Sequence, residues 1–267
     1  VKRFIQKYEI WIFLVLGPII NAIFVYARTQ GHFTRFIYNN GRFCILLLFL
    51  IGLVKYTRGN EGIKDIFRPM LNWKIKPKWY LLSLTFALTI GIITLVIKGV
   101  YTGRGLTAYL KPNFDVITIR AVIALLVWAF LGEVVWVSYC IRKLSTMMKP
   151  FYASQIIGVV WTLWFIPIIL HGEGTLPNIP LHFLLIFMLG IAGMCSVVYR
   201  LSKSGSCVLL LQYALNITLI SLSLSPSTGG IPTFTTFAII YFIVMLCFMY
   251  FMNSGYKTAN IKTILKN

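Results

Sequence analysis

The feature that most constrains this chain is a run of long apolar segments, each bounded by charged or turn-forming residues, recurring along all 267 residues. A bilayer's hydrocarbon core is about 30 Å thick, and about 20 apolar residues in a helix cross it. No water is present there to satisfy backbone N–H and C=O groups, so spanning segments of this kind fold as helices. Eight segments qualify, at about 10–26, 36–54, 79–97, 121–141, 152–170, 181–199, 207–224 and 234–252. A mean hydropathy of +0.83 agrees with this count. The expected fold is all-α, a polytopic membrane helix bundle of about eight transmembrane helices. It forms a single integral-membrane domain over 1–267, because no repeat and no Ser/Gly- or Pro-rich linker divides the chain. The second segment is the weakest: its strictly apolar core, 43–54, has only 12 residues and must recruit the 36–42 flank, tilt, or re-enter.

A formal charge of +19 raises the question of a nucleic-acid footprint, which the placement of the basic residues answers. With the N-terminus inside, one side holds Lys2, Arg3, Lys7, Lys55, Arg58, Lys64, Arg68, Lys74, Lys76, Lys78, Arg142, Lys143, Lys149, Arg200, Lys203, Lys257, Lys262 and Lys266. The other side keeps Arg28, Arg35, Arg42, Lys98, Arg104, Lys111 and Arg120. Eighteen against seven is the positive-inside bias of a membrane protein, and it puts both termini in the cytoplasm. The expected partner surface is the lipid bilayer, not nucleic acid.

The first apolar run lacks a small-residue cleavage site and reads as the first span, not as a signal peptide. Cys44, Cys140, Cys195, Cys207 and Cys247 lie in or at the ends of spans without metal-ligand spacing, so they are expected to be buried packing residues. No metal and no cofactor is implied. His32, His171 and His182 fall at the outer side, and no spacing signature supports a metal site of His171 with Glu173 or His182. The connection GIKDIFRPMLNWKIKPKWYLLSL at 62–84 mixes apolar residues with lysines and carries Trp79 and Tyr80. It reads as an interfacial segment broken near Pro69 and Pro77. The outer connections at 101–115 and 223–236 read as surface loops.

Polar groups inside spans are costly and tend to mark function. The fourth span, in FLGEVVWVSYC, carries Glu133, with Trp136, Val137 and Cys140 on its face at +3, +4 and +7. The fifth carries WTLWFIP, with Trp161, Trp164 and Phe165 before Pro167, and the seventh sets Gln212 and Asn216 at i and i+4. Counted from cytoplasmic anchors at about 1.5 Å per residue, Glu133, Phe165 and Gln212 lie roughly 13–15 Å deep. A common depth on three spans is what a shared intramembrane pocket requires. Each residue taken singly also fits plain packing or interhelical hydrogen bonding.

At these residues the sequence resembles the bacterial CAAX-protease and bacteriocin-processing family (CPBP, also called ABI) of intramembrane glutamic endopeptidases. The resemblance covers most of the chain, with a family core at about 115–225 and motif regions near 130–140, 161–167 and 207–216. The family's first motif has a Glu-Glu pair, two residues, an aromatic, and commonly Arg-Gly. Aligned on Trp136, it puts Gly132 at the first Glu, Glu133 at the second, Val137 at the Arg and Ser138 at the Gly. In its second motif, aromatic-x-x-x-His, Trp161 matches and Phe165 stands at the His, while Trp164 and Pro167 also match. In the third, His-x-x-x-Asn, Gln212 replaces the His and Asn216 matches.

In active relatives, the resemblance implies, the first Glu activates water while the histidines and Asn stabilise the developing oxyanion or hold the site's polar network. Here the first Glu and both histidines are replaced. The catalytic positions that remain are Glu133, Gln212 and Asn216, and Gly132, Trp136, Val137, Trp161, Trp164 and Phe165 line the expected binding pocket. That set holds no histidine to exchange a proton near neutral pH. Glu133 is expected to be a neutral, hydrogen-bonding carboxyl satisfied by Gln212 and Asn216. The resemblance thus implies a catalytically degenerate member that keeps a cytoplasm-facing intramembrane cavity. It would bind a membrane-anchored peptide or membrane protein as scaffold, regulator or immunity factor in a bacterial cytoplasmic membrane. Two other readings remain: an active, divergent endopeptidase using Glu133 with amide oxyanion donors, and a small transporter, which the absence of paired, broken spans disfavours.

Overall fold

A computed structural model describes residues 1–172 and 176–264, with side chains described up to Met252 except that of Leu106. The described residues form helices and no strands, and eight of the helices are long and apolar enough to cross a membrane. They are α1 (Lys2–Thr29), α2 (Arg35–Phe67), α3 (Pro77–Tyr101), α4 (Ile119–Glu133), α5 (Pro150–Leu170), α6 (Leu181–Ser202), α7 (Gly205–Ser221) and α8 (Ile231–Ile264). After Glu133 the α4 span continues as a π-helix, Val134–Ile141, and ends in the turn Arg142–Leu144. Local chemistry sets several starts. Thr34, Thr118 and Ser204 cap α2, α4 and α7 through their hydroxyls. Pro77 and Pro150 open α3 and α5, where a missing N–H costs nothing.

The short second segment becomes long enough to cross by recruiting its flank, because α2 begins at Arg35 and takes in 36–42. It runs on past the apolar core to Phe67, broken at Gly59, whose φ of +67° admits glycine without strain. The 60–67 turns and the 3₁₀ turn Arg68–Leu71 make the interfacial segment, which ends where Pro77 starts α3. Arg42, counted above only as an outer charge, is instead drawn into the bundle at 8% exposure. Its guanidinium lies 5.1–5.3 Å from the ring centroids of Tyr38, Phe43 and Trp164. Such cation–π contacts offset part of the cost of placing a cation there.

The spans close a ring in which successive neighbours pack on each other: α1, α5, α6, α8, α3, α7, α4, α2 and back to α1. Helices α6 and α7 lie deepest, with 67% of their apolar windows buried against 28–50% for the others. The π-helix touches α2, α5, α6 and α7, and all eight of its residues are buried. The cysteines divide: Cys140, Cys195 and Cys207 are buried, whereas Cys44 and Cys247 are exposed on the outer faces of their spans. The expectation of five buried cysteines therefore fails for two, since uniformly apolar spans do not show which side faces lipid.

At the end of the bundle where α1 begins and the α4 span finishes, a charge network ties three spans together. Glu9 of α1 is 3% exposed; its Oε1 accepts the Tyr139 hydroxyl at 2.9 Å and faces Arg58 Nη2 at 3.2 Å, while Oε2 accepts the Thr57 hydroxyl. Arg58 reaches on to Asp65 at 3.2 Å, and Arg142 grips both Asp65 oxygens at 2.7 Å. Arg142 also donates through Nε to the Ser138 carbonyl at 2.7 Å, closing over the end of the π-helix. The network anchors the segment that carries the candidate site.

Candidate functional site

Glu133 ends the α-helical part of α4 and is 2% exposed. The wider i→i+5 turns begin immediately after it, and insertions of this kind recur at functional sites. They alter the face on which its neighbours lie. The +3, +4, +7 stripe expected of an α-helix does not carry through, and Val134, Val135, Trp136, Val137, Ser138, Tyr139 and Cys140 are all buried whichever way they point.

Two of the three motif regions meet through aromatic stacking, with Trp136 and Trp161 centroids 5.7 Å apart and their planes at 21°. Phe13 of α1 packs edge-on against both Trp136 and Tyr139. The third region joins through Cys195 of α6. Gln212 Nε2 donates to Cys195 Sγ at 3.0 Å, and Cys195 lies within electrostatic range of the Glu133 carboxyl. Tyr241 of α8 lies within that range too. Its hydroxyl has no hydrogen-bond partner among the described residues. The polar cluster is therefore Glu133, Cys195, Gln212 and Tyr241, drawn from four spans. Sequence reasoning assigned Cys195 to packing and missed Tyr241, because both look like ordinary members of apolar runs.

The expected satisfaction of Glu133 by Gln212 and Asn216 is not what the structure shows. Gln212 turns to Cys195, and Asn216 Nδ2 donates to the Gln212 carbonyl of its own helix at 2.9 Å. Glu133 Oε2 is buried without a partner among the described residues, as are the indole nitrogens of Trp136 and Trp164. A buried carboxyl oxygen left in this state costs about 1–3 kcal/mol.

Nor is the neighbourhood of Glu133 open. Gly132, Trp136, Val137 and Trp164 are inaccessible, so side chains fill the space where the resemblance implies a cavity. Trp164 belongs to a separate cluster on the outer side of the site, packed on Phe43 and Arg42, with its carbonyl accepting from Asn21 at 2.6 Å. Phe165 is half-buried and meets Trp164 edge-on. No ring contact or hydrogen bond joins it to Glu133 among the described residues. Of the expected binding residues, Trp161 and Phe165 alone retain exposed surface.

His171 ends α5 and His182 lies in the first turn of α6 against Phe183, while Glu173 lies outside the described residues. Among the described residues no three His, Cys, Asp or Glu side chains gather as a metal site would require. The cluster can hold a hydrogen-bonding group near Glu133, but no described histidine adjoins it to carry protons. No protein-family model matches this sequence, and no curated protein matches it.

Proposed function

We propose that this membrane protein is a catalytically degenerate relative of the CPBP intramembrane endopeptidases that binds a membrane-anchored peptide or membrane protein. It would act as scaffold, regulator or immunity factor in a bacterial cytoplasmic membrane. The observation that carries the reading is the convergence of regions far apart in sequence on one buried carboxyl. Trp136, one turn past Glu133, stacks on Trp161, and Gln212 donates to Cys195, which lies within electrostatic range of Glu133. An interior carboxyl with an unpartnered oxygen lowers stability, and positions that do so are expected where function requires them. Peptide cleavage would need a group to hand protons between water and leaving amine, and binding needs none.

Two outcomes follow. Glu133→Met, which removes the unpartnered oxygen and keeps the volume, is expected to raise stability by about 1 kcal/mol. The same variant, and Gln212→Ala, should lose a partner that wild-type protein retains in mild detergent, because both disturb the packing behind Trp161 and Phe165, the expected binding residues that keep exposed surface. Affinity purification with mass spectrometry of intact and shortened peptides reads both. A partner truncated only by wild type would replace the binding reading with a proteolytic one. Undiminished retention by Glu133→Met would remove the site from the reading altogether.

A further inference from the structure

A cleft of about 530 Å³ opens at the cytoplasmic ends of α2, α4 and α6, lined by Asp65, Arg68, Asn72, Arg142, Tyr199 and Lys203 among others. Its volume lies in the range of small-ligand sites. A second groove of about 310 Å³ adjoins it across Asn72 and carries Lys74, Lys76 and Lys78. The walls are held by side chains. Asn72 Nδ2 donates to the Lys203 carbonyl at 3.0 Å, and its own carbonyl accepts the hydroxyls of Ser204 at 2.6 Å and Ser206 at 3.1 Å. The α2–α3 connection is thereby pinned to the α6–α7 turn.

Charge in this cleft is unevenly committed. Arg142 spends its fork on Asp65, so the acidic residue is neutralised within the wall. Arg68 and Lys203 are exposed, face the same space, and form no ion pair among the described residues; neither do Lys74 and Lys76 in the adjoining groove. Apolar side chains flank it: Leu71, 76% exposed, lines the cleft, Trp79 lines the adjoining groove, and Trp73, 56% exposed, lies between Asn72 and Lys74 in the sequence. A preformed cationic cleft with an apolar and aromatic rim, at the level where spans leave the bilayer, matches a ligand with an anionic phosphate and hydrocarbon attached.

We propose that this cleft is a binding site for a phosphate-bearing anion, filled from the bilayer by the headgroup of an anionic phospholipid. Arg68 and Lys203 contact the phosphate, Lys74 and Lys76 extend the field, and Leu71 and Trp73 meet the acyl chains. This inference does not depend on the reading of the Glu133 cluster.

The test is native mass spectrometry of the full chain, delipidated in detergent and titrated separately with phosphatidylglycerol, phosphatidylcholine and inorganic pyrophosphate. Wild type should retain one phosphatidylglycerol in preference to phosphatidylcholine. Arg68→Gln with Lys203→Gly should weaken that retention about tenfold. Lys203 has a left-handed backbone, φ 57°, which glycine adopts more readily, so this substitution removes charge without straining the turn. Lys203→Arg, which keeps the charge, should retain the lipid. Lys2→Gln with Lys149→Gln removes equal charge outside the cleft and should leave retention unchanged. Equal weakening by both pairs would mean that diffuse basic charge, not a site, holds the lipid, and would overturn the proposal. So would indifference between the two lipids together with no pyrophosphate binding. Pyrophosphate binding lost in the cleft pair, without lipid preference, would keep the phosphate site and assign it a soluble occupant.

Discussion

Arg58→Ala is expected to destabilise the folded protein by about 3 kcal/mol, because it strands a buried carboxylate. Glu9 is 3% exposed, and Arg58 is the cation that faces it, with Nη2 at 3.2 Å. Tyr139 and Thr57 would still donate to Glu9, but two neutral hydroxyls do not replace a positive charge in a low-dielectric site. The same substitution removes the 3.2 Å contact to Asp65 and the cation over the Tyr139 ring, so α1, α2 and the π-helix lose a shared fastening. A double-mutant cycle separates this cause from loss of packing. Glu9→Gln with Arg58→Ala should be markedly more stable than Arg58→Ala alone, since no charge is then stranded. Rates of heat unfolding in detergent, followed by loss of helical circular dichroism, measure it, which suits a membrane protein that unfolds irreversibly. Additive effects in that cycle would show that Glu9 and Arg58 do not act as a pair.

The eight candidate spans were legible in the sequence because apolar length is a property of composition, and even the weak second one reaches spanning length by absorbing the 36–42 flank. The break read near Pro77 is where α3 starts, whereas the starts at Pro150 and Ser204, though set by equally local chemistry, were not read. The interior was less legible. Around Val134–Ile141 the chain is apolar on all sides, so no periodicity distinguishes i→i+4 from i→i+5 turns, and the π-helix left no trace. The pairing of Glu9 with Thr57, Arg58 and Tyr139 links residues 48 to 130 positions apart, which positional charge counting reads only as topology. Within the candidate site, Glu133 and Gln212 were found because charge and amide stand out against hydrocarbon. Cys195 and Tyr241 were not, since only the packing of the spans brings them within electrostatic range of the same carboxyl. Asn216 shared the predicted face with Gln212 yet spends its amide on that residue's carbonyl, a choice that i, i+4 spacing does not fix.

Gly158→Leu is the second substitution with a large expected effect, at about 3 kcal/mol or outright failure to accumulate folded protein. A Cβ at this position would lie 2.8 Å from Leu189 Cα and 3.1 Å from its backbone nitrogen, so it meets the main chain of α6, which no rotamer change can move aside. Small residues at such crossings are what lets two spans pack closely without a hydrophobic drive between them. Pushing α5 from α6 also reaches the candidate site. Trp161 sits one turn beyond Gly158 and stacks on Trp136. The variant should therefore lose partner retention along with stability, although it touches neither Glu133 nor Gln212. Gly52→Leu is the matched control: nothing lies within 4 Å of its Cβ position and the residue faces outward, so lipid accepts the added side chain. Heat-unfolding rates of the two variants in the same detergent, read by circular dichroism, give the comparison. If Gly158→Leu proves as stable as Gly52→Leu, then α5 and α6 are farther apart than the structure has them, and the Trp136–Trp161 stack that depends on their approach must be redrawn.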